Sequence, residues 1–82
     1  MSRFALQWLV PGGPGLLTHV MVLDKERPAP YIVTAGHGAD KVQALHNLWS
    51  TLIEFHALPE VIGYVAVEYT RRTGKAPGNA VS

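Results

Sequence analysis

From Phe4 to Val10 the even positions, Phe4, Leu6, Trp8 and Val10, are all apolar, while Gln7 falls on the opposite side. This is the period-two pattern of a half-buried β-strand. The turn PGGPG, residues 11 to 15, ends it, and a second apolar run over residues 16 to 23 is rich in β-branched side chains and short for a helix. Together they read as a hairpin. Residues 24 to 30, DKERPAP, are charged and carry two prolines that cannot donate to a ladder, so they form an exposed connection. Residues 31 to 35 then supply a third short strand and close an antiparallel meander.

The period changes after the pair of glycines at 36 and 38. Val42, Leu45, Leu48, Trp49, Leu52, Ile53 and Phe55 recur at three- and four-residue spacings, with Gln43, Asn47, Ser50 and Glu54 opposite them. That is an amphipathic helix with one face packed on the sheet. Asp40 is its N-cap, and Gln43 completes a capping box with it, so the helix starts near Lys41. Pro59 disfavours helical geometry at Leu58 and ends it there. Residues 60 to 70, EVIGYVAVEYT, fit two patterns. Val61, Val65, Val67 and Tyr69 alternate, and the composition favours a fourth strand. Yet Val61, Ile62, Val65, Ala66 and Tyr69 also make a helical stripe, with Pro59 and Glu60 suited to a first turn and Gly74 to a C-terminal stop. The strand is preferred, and Gly63 weakens either choice. The expected fold class is therefore α+β. A three-stranded antiparallel meander is followed by an amphipathic helix on one face, then a fourth strand or short helix. Residues 1–72 form the single domain and residues 73–82 a disordered tail.

Composition adds one expectation. In 82 residues there is one small core, yet 48% of the chain is hydrophobic and only 16% charged. Part of that apolar surface is expected against another subunit or a small protein partner, which makes the chain a homo-oligomer. There are no cysteines, so neither disulfides nor thiolate metal sites reinforce it. The opening run resembles a signal peptide only superficially, since Gln7 interrupts it, and no apolar run reaches the roughly 18 residues of a membrane span. A cytoplasmic protein with no membrane association is expected.

Charge and candidate chemistry are sparse. Net charge is +1, and of the basic residues only Arg71, Arg72 and Lys75 cluster. Nucleic-acid binding needs several phosphates neutralised at once, and the plainer reading of this cluster is a solvated terminus. His46 and His56, ten apart on the helix, lack the spacing that sets two imidazoles on one metal. His46 is read as solvated, His56 as a partly buried core residue, and His19 lies in a strand. His37, between two glycines, is expected in a loop. The carboxylates are scattered and form no acid–base pair, so no catalytic residue, metal or cofactor is expected. PGGPG lacks the lysine and hydroxyl of a phosphate loop. Gly36, His37 and Gly38, leading into a helix N-terminus beside Lys41, form a candidate anion-binding loop.

The order of strands and the run Gly38, Asp40, Gln43, Ala44, Leu45, Asn47, Leu48 and Leu52 resemble the HicB-type antitoxin domain over residues 4 to 70. Residues 27 to 30 stand where that family has a proline-rich turn. The resemblance implies a non-catalytic module that dimerises and masks a small RNA-cleaving toxin, though no DNA-binding segment follows residue 70. Gly36, Gly38, Lys41 and Ala44 are also similar in register to the double-stranded-RNA-binding domain. That family's other helix-start positions hold Asp40, Val42 and Leu45 here, and its leading helix is replaced by a strand. The expected function is a small protein-interaction module, antitoxin-like. The alternative is RNA or DNA binding through Lys41, Arg71, Arg72 and Lys75, and an enzyme built on His37 ranks last.

Overall fold

The computed structural model of the protein describes residues 3–28, 31–55 and 57–77. Strands β1 (Phe4–Leu9), β2 (Thr18–Asp24) and β3 (Tyr31–Gly38) are followed by helices α1 (Lys41–Glu54) and α2 (Pro59–Thr73). The sheet is an antiparallel meander in the order β1-β2-β3. Its register sets Leu6 opposite Val22 and Trp8 opposite Val20, then Val22 opposite Thr34 and Val20 opposite Gly36. A bulge opposite Val22 and Leu23 absorbs one residue of β3.

One face of the sheet is covered. Phe4, Val20 and Val22 are buried there with Ala44, Leu45, Leu48, Trp49 and Leu52 of α1 and Val61 and Val65 of α2. Each fully buried leucine of that stripe contributes about 1.5–3 kcal/mol relative to exposure. The helix that carries them is capped by Asp40 as predicted, the Gln43 amide donating to Asp40 Oδ1 at 2.8 Å, while Gln43 Oε1 accepts from the Ala39 amide at 2.8 Å, one residue before the N-cap amide of a capping box. Asn47 Nδ2 donates to the His37 carbonyl at 2.7 Å and ties α1 to β3.

Several expectations are corrected. The fourth strand is a helix: α2 spans the ambiguous segment, with Pro59 in its first turn and Gly74 as a left-handed C-cap at φ 74°. The stripe of Val61 and Val65 is buried on α1 and the sheet, and Tyr64 meets Phe4 with ring centres 5.9 Å apart and planes tilted by 46°. Burial of a stripe thus overrides the β preference of valine and tyrosine, which reflects fit to a half-buried sheet more than backbone bias. The first helix stops at Glu54 and not near Leu58, and Phe55, 73% exposed, points away from the core stripe. The second strand begins at Thr18, leaving Leu16 and Leu17 exposed in the connection.

A further correction bears on the candidate site. Gly36, His37 and Gly38 are not a loop but the end of β3, paired with Val20, His19 and Thr18. Both glycines are buried beneath α1, where an added Cβ on either would stand 2.7 Å from helix backbone. Here glycine permits close approach of helix and strand, not a turn. At the C-terminal end α2 runs through Thr73, one residue beyond the expected domain limit. Residues 78–82 of the expected disordered tail, residues 29 and 30 of the connection, and His56 lie outside the described residues.

Candidate functional site

Because side chains alternate along a strand, covering one face of the sheet commits the other positions to the opposite side. That side forms three cross-strand rows: Ala5, Leu23 and Ile32; Gln7, Met21 and Ala35; Leu9, His19 and His37. Among the described residues no helix lies over it. Leu9 is 60% and Ile32 53% exposed, and none of these side chains is an Asp, Glu, Lys or Arg. The rings of His19 and His37 meet at the end of the face, 5.7 Å apart. Val10, Leu16 and Leu17, in the connection that follows Leu9, are exposed as well. The face is thus an uncharged, largely apolar surface with polar side chains only at Gln7 and the histidine pair.

The cations expected to bind nucleic acid separate into two groups. Lys41, at the start of α1, places Nζ 5.5 Å from the centre of the Trp8 ring, and Arg72, near the end of α2, places Cζ 5.3 Å from the same ring. With Val42, Leu45 and Thr73 they line a cavity of about 320 Å³. Arg71 instead reaches Glu68, Nη1 to Oε2 3.5 Å, and Lys75 lies past the C-cap, its amide donating to Thr73 Oγ1 at 3.2 Å. Four residues grouped by sequence therefore do not make one basic stripe. The candidate anion loop is also changed. Gly36 and Gly38 are occupied by strand pairing and packing, His37 faces outward on the open face, and the Ala39 and Gln43 amides are already taken by α1's own capping side chains. The Asp40 carboxylate at that helix start disfavours a second anion.

Sequence reasoning missed two features. Arg3 donates from Nε and Nη2 to the two oxygens of Asp24 at 3.1 and 2.9 Å, a bidentate pair at the edge of the core, with Glu60 Oε2 3.5 Å from Nη1. These partners lie 21 residues apart and no local pattern links them. The bond from Arg3, with a further one from the Glu26 amide, holds the Asp24 carboxyl down to about 2 against burial, which opposes it. Tyr64 is raised above its ordinary value by burial first and by Glu68 second. The other missed feature is Trp8, read only as one of the apolar even positions of β1. The odd positions of β1 and β2, free of charge throughout, were the available signal for the open face.

Among the described residues, no three His, Asp or Glu side chains gather where they could hold a metal ion, and no helix is long and apolar enough to cross a membrane. Comparison of the chain with models of known families, with curated sequences and with solved structures gives no match.

Proposed function

We propose that the protein is a non-catalytic interaction module that works as a homodimer, and that the open face of its sheet is the surface through which it pairs. The observation that carries this reading is the charge-free character of the three rows centred on Met21. An isologous interface lays a patch against its own copy, so a charge near the two-fold axis meets its own like charge. A surface without Asp, Glu, Lys or Arg incurs no such repulsion, and its apolar area gains by leaving water. Exposed leucine and isoleucine on a small domain mark the same kind of surface.

The antitoxin-like role, masking of a small toxin by the paired module, is the partner reading that the resemblance supports. Nucleic-acid binding through Lys41, Arg71, Arg72 and Lys75 has less support, because Glu68 stands 3.5 Å from Arg71 and 4.0 Å from Arg72 and offsets part of the charge that phosphates would meet.

Sedimentation equilibrium over a range of concentrations tests the dimer, with Met21→Lys as the variant. Met21 is central and partly buried, and a lysine there can snorkel to water in the monomer but meets its own copy in the dimer. The wild type is expected to dimerise and the variant to be monomeric with a retained cooperative unfolding transition. A wild type that stays monomeric, or a variant that dimerises as well, would overturn the reading.

A further inference from the structure

The corner between β1, the start of α1 and the end of α2 assembles groups that the open face does not use. Trp8, Val42 and Leu45 give its cavity an apolar wall, and Lys41 and Arg72 place two positive charges on one indole ring. We propose that this cavity binds a small organic anion with a flat apolar body, an aromatic carboxylate being the class that fits.

Two observations support it. First, about 320 Å³ matches the lower end of the range for small-molecule pockets, enough for one or two fused rings. Second, the two cations are drawn from segments 31 positions apart and converge with no carboxylate lining the cavity. Among the described residues Arg72 pairs only with Glu68, at 4.0 Å and nearer to Arg71, and Lys41 pairs with no carboxylate. Two like charges held at one aromatic ring repel each other, and an anion seated between them removes that repulsion while keeping both contacts to the ring. The flat body follows from the wall: an apolar ring fills the space beside Val42 and Leu45. A fully hydrated inorganic anion would leave that apolar space unfilled.

The site lies on the helix-covered side of the sheet and does not depend on dimerisation. Its test is titration of the full chain with sodium naphthoate, followed by amide and indole N–H resonances, with naphthyl methanol as the uncharged counterpart and inorganic phosphate as the ion without a ring. Saturable shifts are expected at the Trp8 indole and at Lys41, Val42 and Thr73, with the Trp49 indole, buried in the core, unmoved. Lys41→Met and Arg72→Met each keep a good helix former at an exposed helical position. Each is expected to weaken naphthoate about tenfold, the worth of one charge-assisted contact, and Arg72→Lys is expected to restore part of the loss. Equal binding of the alcohol, phosphate shifting the same resonances as strongly, affinity unchanged in both methionine variants, or no saturable shift at all would each overturn the proposal.

Discussion

Gly36 of β3 lies directly beneath Leu48 of α1: a Cβ on this glycine would stand 2.7 Å from the Leu48 amide nitrogen and 2.8 Å from its Cα. Both atoms belong to helix backbone, so the clash cannot be relieved by rotating a side chain. Only lifting α1 off the sheet would make room, and that loosens the packing of Leu45, Leu48 and Leu52. Gly36→Ala is therefore expected to cost about 2 kcal/mol or more in urea unfolding. Gly38→Ala, against the Ala44 amide at 2.7 Å, behaves alike. Wild-type stability in both would show that the helix rides higher than described.

Gly63 gives the opposite sign. It sits inside α2 with nothing within 4 Å of an added Cβ, and its backbone is not in the left-handed region. Replacing it with alanine removes freedom from the unfolded chain at no steric cost. Gly63→Ala is expected to raise stability by about 0.5–1 kcal/mol, read as an increase in thermal midpoint. A decrease would argue that residues 59 to 73 are not helical in solution.

Asp40 tests the start of α1. Its carboxylate accepts the Gln43 amide at 2.8 Å. Asp40→Ala should lower stability by about 1 kcal/mol, and Asp40→Asn by much less, since the amide oxygen caps nearly as well. Equal losses in the two variants would point to charge, not capping, as the source of the effect.

The Arg3–Asp24 pair predicts a pH dependence. With its carboxyl held at about 2 in the folded chain, against an ordinary 3.8, Asp24 binds a proton more readily when unfolded. The stabilisation is therefore fully present above the ordinary value and is lost as pH falls through about 2. In Arg3→Gln the carboxyl rises, the protein is less stable at neutral pH, and acid unfolding begins at higher pH. The two curves of urea midpoint against pH should converge at the acid end. Curves that stay parallel to the lowest pH would sink the assignment.

Much of the architecture was legible because its determinants are local. The alternation of Phe4, Leu6 and Trp8 with Ala5 and Gln7 marks a strand and assigns its faces, and Asp40 with Gln43 marks the start of α1, since each pattern is set by residues within a few positions of one another. The same locality explains where reading stopped. The valines and tyrosines of α2 satisfy both a strand and a helical stripe, and the choice was made by a surface available only once α1 had packed on the sheet. Gly36 and Gly38 look like a turn until a helix backbone is set on top of them. The uncharged positions Gln7, Met21 and Ala35 lie in three separate strands, and register alone makes them a row. Lys41, Trp8 and Arg72, like Arg3 and Asp24, are joined by no spacing that a helix or strand period could display. Backbone preference and burial period act between near neighbours and are carried by the chain itself, whereas steric fit and charge proximity depend on distances that exist only after distant segments have come together.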